Sequence, residues 1–359
     1  MNAFLPSSAL VVAAVAALTA AAAAAGFALQ HLAARADERG GARAPLRLAA
    51  WGLVAAAVAA ADRLAAAEPP GVRMAALIVP ALVAMKAVVA VEACAGGLAP
   101  LPPLRWLCFA LGWPGMQPRL FAGPRRRGLA GAGALARRGL AWMLLGAALL
   151  GAAWAAVPQV PLLLCRGSGG ESLPSDAAPA CSSQEALLAT LLLLPGLSLL
   201  LHFGALNVLA AFWRRAGFDV HALFRAPLLA TRLSEFWGRR WNLAFSEMAA
   251  TAVYRPLASR AGRGPATTAA FLLSGLLHEM AISLPVRAGY GLPFVYFALQ
   301  GALVLLERAA ERRGWRFPRS GAAGRAWCLL WLGAPLLLLF HPPFLAAVVW
   351  PLAGMAHSP

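Results

Sequence analysis

The stretch MAALIVPALVAMKAVVAVEAC, Met74 to Cys94, carries one lysine and one glutamate in an otherwise apolar run. About 20 predominantly apolar residues cross the hydrocarbon of a bilayer as a helix, so this stretch reads as part of a membrane span near 72–96. Runs of the same kind lie near 9–29, 47–66, 139–157, 186–212, 266–285, 291–308 and 326–350. The fold class expected is therefore all-α, a polytopic integral membrane protein with about eight transmembrane helices. The first run has no basic residue before it and is longer than the apolar part of a signal peptide, so it counts as a span. Two further apolar pieces are too short or too interrupted to cross. One lies around 98–113, broken by Pro100, Pro102, Pro103 and Pro114, and the other around 243–258. They read as re-entrant or interfacial helices.

Composition points the same way. Hydrophobic residues make up 61% of the chain, charged residues 13%, and the mean hydropathy is +0.69, whereas roughly a quarter of the residues of a soluble domain are charged. The formal charge of +17 comes from arginine, since Lys86 is the only lysine. That bias, with the alanine and glycine load, suggests a GC-rich genome and the inner membrane of a bacterium. The five cysteines form no close CxxC pair, which excludes a zinc ribbon and a disulfide-dense scaffold. No metal is expected.

Orientation follows from the arginines, because short cytoplasmic loops carry the Lys/Arg excess. Segment 114–138 holds six arginines and no acid, 213–240 holds six against Asp219 and Glu235, and 307–325 holds six against Glu307 and Glu311. All three are expected to face the cytoplasm. Positive charge so distributed suits anionic membrane lipid, and no nucleic-acid partner is expected. The connection 158–185 has Arg166 alone against Glu171, Asp176 and Glu185. It is expected outside, where Cys165 and Cys181 could pair. Alternation from these anchors puts both termini outside.

An ionisable group at membrane depth costs at least ~2.5 kcal/mol on insertion scales for Asp, Lys or Arg, and marks a functional site by default. Lys86 and Glu92, six residues apart in one span, read as structural groups that find partners in the bundle or snorkel. His202, alone in its span, reads as a hydrogen-bonded core residue. His278 differs in its setting. It stands in SGLLHEM, Ser274 to Met280, beside Glu279 and one turn after Ser274. The polar segment SEFWGRRWN, Ser234 to Asn242, precedes it by about thirty residues. Catalysis is the reading favoured for His278.

Several chemistries are excluded. An HExxH zinc site needs a second histidine four residues after His278, and that position is Ile282. There is no G-x-S-x-G elbow and no P-loop, and GAGALA at Gly131 follows no strand. What remains is an imidazole in apolar surroundings, neutral and so able to act as a general base, with a hydroxyl substrate as nucleophile. An alternative from another class is a proton-coupled secondary transporter that uses His278 and Glu279 as a relay, although no inverted repeat of the span pattern is evident. A lipid-binding scaffold without turnover is a third.

SEFWGRRWN, SGLLHE, the upstream GWPGMQPRLF (Gly112 to Phe121) and the C-terminal FHPPFL (Phe340 to Leu345) together resemble the wax synthase branch of the membrane-bound O-acyltransferases. The resemblance covers about 105–350 of a single transmembrane domain, 1–359, and is strongest over 234–279. It implies a helical membrane fold with a tunnel, in which a fatty acyl group moves from acyl-CoA, a co-substrate rather than a resident cofactor, to a hydroxyl of a lipophilic alcohol. Carried over by residue, the family's histidine falls on His278 and its asparagine on Asn242. His278 would be the base, and Asn242 would position the reactants or stabilise developing charge.

Arg232, Arg239, Arg240 and Arg255 have two readings. They are candidate contacts for the phosphates of acyl-CoA, since guanidinium forks match phosphate geometry, or they anchor the chain on anionic lipid. Trp237 and Trp241, four apart, would share a helix face and read as packing or interface anchors. Phe340, Pro342 and Pro343 are expected to kink the last span.

Overall fold

The computed structural model describes residues 2–38, 43–126, 128–157, 177–314 and 321–355. Among these there is no strand, and 8 helices are long and apolar enough to cross a membrane. They are α1 (Ala9–Ala36), α2 (Ala44–Leu64), α3 (Pro70–Ala95), α4 (Ala132–Ala156), α5 (Ser183–Arg215), α6 (Arg263–Val286), α7 (Leu292–Arg312) and α8 (Gly321–Leu339). A membrane-spanning segment must satisfy its backbone hydrogen bonds internally, and each of these runs does so as a helix. The all-α polytopic fold is as expected.

The last span differs. The apolar run read as 326–350 is interrupted: α8 ends at Leu339, and a separate short apolar helix covers Pro342–Ala353. The break is built from FHPPFL. Proline lacks the donor that would continue the ladder, and His341 caps the next helix by accepting from the Phe344 amide through Nδ1 at 3.3 Å. The piece around 98–113 holds a short helix, Pro103–Ala110, and that around 243–258 a helical segment in which the π turn Ala250–Tyr254 joins Leu243–Ala249 to Arg255–Ala261. The pairing of Cys165 with Cys181 lies outside the residues whose side chains are described.

α3 is the most buried span and packs against α1, α2 and the C-terminal end of α6. The lysine and glutamate at its membrane depth, Lys86 and Glu92, both have partners. Arg47 donates two hydrogen bonds to Glu92, at 2.7 and 2.8 Å. Lys86, with no exposed surface, donates to the carbonyls of Trp113 and Gly115 and lies 4.3 Å from the centre of the Phe109 ring. The lysine thus pins GWPGMQPRLF to the bundle. Both groups are structural, as their sequence setting suggested.

α6 and α7 form an antiparallel hairpin whose close approach depends on small residues, the usual device where lipid supplies no hydrophobic drive for helix association. A side chain on Gly275 would place its Cβ 3.0 Å from the Phe294 Cα, and one on Gly301 would come 2.9 Å from the Phe271 Cβ. Gly275→Val is therefore expected to lower stability by about 1–3 kcal/mol through overpacking, read as a fall in the thermal midpoint of detergent-solubilised protein. An unchanged midpoint would mean that the two helices slide apart at no cost.

Candidate active site

His278 is the last α-helical residue before a π-helical turn, Glu279–Ser283. Similar turns cover Ser198–Ala205, around His202, and Phe236–Arg240, inside SEFWGRRWN. Such bulges are frequent at functional sites because they re-aim side chains within a helix.

The hydrogen bond of His278 selects its tautomer. Its Nδ1 lies 2.7 Å from the Ser274 carbonyl oxygen. A carbonyl only accepts, so Nδ1 carries the proton and the lone pair is on Nε2. The ring lies against Phe297, with centroids 4.2 Å apart. Ser274 in turn borders a cavity of about 210 Å³ whose walls come from SEFWGRRWN and its following helix, from α6 and from α7. Trp237, Phe245, Phe271 and Val304 give it an apolar lining, and Ser246, Thr267 and Arg308 bring polar groups.

Trp237 links the polar segment to the histidine. Its ring packs on Phe297 at 5.5 Å and Phe271 at 6.1 Å. Its indole N–H donates to Gln300 Oε1 at 3.2 Å, and the Gln300 amide donates to the Trp331 carbonyl at 2.7 Å. Trp241 points elsewhere, stacking on Phe236 at 5.5 Å and meeting Phe224 edge-on at 4.9 Å. The shared helix face expected of the two tryptophans is absent. Phe236–Arg240 is a π turn, and Trp241 leaves it in extended conformation with ψ 131°. Trp241 instead meets His202 at 5.7 Å. His202 is also stacked on Phe224 at 4.6 Å, with Ser198 Oγ 3.3 Å from its Nδ1. That is the setting of a packed core histidine.

Asn242 adopts a left-handed conformation, φ 42° and ψ 63°, and its Oδ1 accepts from the Phe245 amide at 3.2 Å. Asparagine is among the few residues that tolerate this backbone region and is a strong N-cap, so one residue serves both needs at the start of helix Leu243–Ala249. The side chain does not line the cavity, but Phe245 and Ser246 do. Ser246 also donates to the Trp237 carbonyl at 2.7 Å. Glu247, on the same helix, accepts from the Met116 amide and the Gln117 side chain and lies 2.8 Å from His221 Nε2. It ties GWPGMQPRLF to the segment after Asn242.

The four candidate arginines divide into two pairs. Arg232 is ion-paired with Glu311 at 2.6 Å, and Arg240 with Glu235 at 2.6 Å. Partial burial pushes the Glu235 carboxyl up, but hydrogen bonds from Thr231 and the Arg240 guanidinium outweigh it and hold it below the ordinary value. Arg239 and Arg255 are exposed and have no ion pair among the described residues.

Glu279 is also committed. Its Oε1 accepts from the Phe294 amide at 3.0 Å, capping the N-terminus of α7. Its Oε2 is buried without a hydrogen-bond partner among the described residues, and the transporter alternative has no support. Glu307, in the sequence only one acid of an arginine-rich segment, is 2% exposed and accepts from the Leu233 and Ser234 amides and the Trp327 indole.

Residues 220–299, which include Asn242 and His278, match the sequence model of the Membrane bound O-acyl transferase family. A long-chain-alcohol O-fatty-acyltransferase of Simmondsia chinensis is 32% identical over 105 residues, 27% of this chain and 30% of that protein. Probable long-chain-alcohol O-fatty-acyltransferase 9 of Arabidopsis thaliana is 32% identical over 158 residues, 40% of this chain and 45% of that protein. An acyl-CoA–sterol O-acyltransferase of the same plant is 31% identical over 146 residues, 38% of this chain and 42% of that protein. The chain spans less than half the length of each of these relatives. The resemblance read from the four motifs is the one these matches report.

Proposed function

We propose that this multi-pass membrane protein transfers a fatty acyl group from acyl-CoA to the hydroxyl of a lipophilic alcohol, with His278 as general base. The observation that carries the reading is the His278 Nδ1–H bond to the Ser274 carbonyl, which leaves the Nε2 lone pair free one helical turn from a largely apolar cavity. Nε2 takes the proton of the alcohol O–H as the oxygen attacks the thioester carbonyl carbon. The C–O bond forms, the C–S bond breaks, and the thiolate leaves with its electron pair and receives the proton back from Nε2. The Ser274 carbonyl supports the transient imidazolium through Nδ1–H. General-base help of this kind contributes typically about 10²–10⁴-fold. Phe297, itself packed on Trp237, lies against the ring, and Arg239 and Arg255 are the candidate contacts for the outer phosphates of CoA on the cytoplasmic side. The arginine-over-lysine bias supports a bacterial inner membrane as the host, to be checked by fractionating source cells. Incubating purified protein with labelled acyl-CoA and a panel of long-chain and sterol alcohols, then extracting neutral lipid, tests the function. Labelled ester is expected, and free fatty acid alone would mean that water, not an alcohol, is the acceptor.

Asn242 acts in this scheme as a positioning residue, because its Oδ1 is used by the cap. Asn242→Ala loses the cap and strains the left-handed backbone, together about 2–3 kcal/mol. Asn242→Gly loses only the cap, since glycine is at ease there. Asn242→Gly is therefore expected to keep more of kcat and of thermal stability than Asn242→Ala. If the glycine variant folds as well as wild type yet falls to the alanine variant's kcat, the amide itself touches the reacting groups.

A further inference from the structure

Arg308 is the one cation lining the cavity, and among the described residues no carboxylate lies within ion-pair range of it. It is half-buried on α7, and its Nη1 donates to Thr267 Oγ1 on α6 at 2.7 Å. The acids nearest in sequence have other partners: Glu307 serves the amides of Leu233 and Ser234, and Glu311 pairs with Arg232. A half-buried, unpaired cation facing an apolar cavity is expensive to keep unless an anion visits it.

Its depth says which anion. Arg308 and Thr267 meet at the arginine-rich end of the α6–α7 hairpin. Ser274, at the far wall of the cavity, is about 10 Å further along α6, and His278 about 16 Å further than Thr267, at the helical rise per residue. A pantetheine arm has twelve bonds between its sulfur and its phosphate ester oxygen. At the advance of an extended peptide, three bonds per ~3.4 Å, that arm reaches roughly 14 Å. A thioester at His278 therefore puts the first phosphate beside Arg308.

We propose that Arg308 binds the phosphate at the end of the donor's pantetheine arm and so sets how deep the thioester sits. This rests on the acyl-transfer reading. Guanidinium and phosphate match as a fork, and the Thr267 hydroxyl holds one nitrogen so that the others face the cavity.

The test compares the full chain and its Arg308→Gln variant, in nanodiscs of zwitterionic lipid, on two donors with the same acyl chain: acyl-CoA, and S-acyl-pantetheine, which carries no phosphate. Arg308→Gln is expected to raise KM for acyl-CoA by about tenfold or more, the scale of a charge-assisted hydrogen bond. KM for S-acyl-pantetheine should move by less than about twofold, since its contacts are untouched. Arg308→Lys keeps the charge and is expected to recover part of the acyl-CoA value, which also serves if the glutamine variant does not fold. An equal rise for both donors, or none for acyl-CoA, overturns the proposal. So does a rise that appears only when anionic lipid is added, which would give Arg308 to headgroups. If the wild-type chain transfers acyl groups from neither donor, the acyl-transfer reading has failed. Equilibrium binding of CoA against pantetheine to the same proteins then decides Arg308 separately: a selective loss for CoA supports it, and equal binding by wild type and variant sinks it.

Discussion

His278→Ala is expected to lower kcat by roughly 10²-fold or more, the usual scale for losing a general base, with little change in KM for acyl-CoA. Base catalysis is a transition-state interaction, whereas donor binding uses other groups, so the loss falls on kcat and on kcat/KM alike. The variant is also expected to fold, because what the ring contributes to packing is its contact with Phe297, and the Ser274 carbonyl it releases is still in its own helix. His202→Ala is the control. That residue stacks on Phe224 and meets Trp241 edge-on, away from the cavity lining, so its loss should lower the thermal midpoint more than it lowers turnover. The reverse result, an active His278→Ala and a folded but inactive His202→Ala, would move the reaction to the other histidine and remove the base from the proposed mechanism.

That His278 stands out in the sequence as a candidate has a physical reason. Burying a titratable group in an apolar span is costly wherever it occurs, so a histidine among leucines stands out without any knowledge of the fold. Span number is legible for the same reason: hydropathy over twenty residues is a local property. Arg308, Glu307 and Gln300 lie in the same spans yet escaped notice. The two charged residues stand near the end of α7, where Arg and Glu are ordinary, and only tertiary packing tells a lipid anchor from a cavity wall. Arg232 and Arg240 show the opposite limit. In sequence they look like free cations, but Glu311 reaches Arg232 from far along the chain. The two tryptophans show the limit of periodicity, since a π turn followed by an extended residue changes which way Trp241 points. Asn242 shows another: the motif marks the residue, but that its Oδ1 is spent on a cap is a fact of backbone geometry.

Glu307→Ala carries the largest expected cost in stability, about 2–5 kcal/mol, because it strands several buried donors at once. The carboxylate is 2% exposed; Oε1 accepts from the Leu233 amide at 2.8 Å and the Trp327 indole at 3.0 Å, and Oε2 from the Ser234 amide at 3.1 Å. Leu233 and Ser234 open the helical turn that leads into Phe236–Arg240, and the first amides of a helical turn have no partner of their own. Glu307 thus fastens SEFWGRRWN to α7, and Trp237 on that segment packs against Phe297, which bears on His278. Stability and turnover should therefore fall together in the alanine variant. Glu307→Gln separates the causes: its carbonyl oxygen can keep the Leu233 and Trp327 bonds while its amide nitrogen faces the Ser234 N–H, so it is expected to retain most of the thermal midpoint and a measurable kcat. Thermal unfolding in detergent and ester formation measured on the same preparations make the comparison. If Glu307→Ala keeps the wild-type midpoint, the Arg232–Glu311 pair and the Trp237–Gln300 bond hold the segment without it. If instead Glu307→Gln is as inactive as Glu307→Ala while fully folded, the negative charge itself matters to turnover, beyond the bonds its oxygens accept.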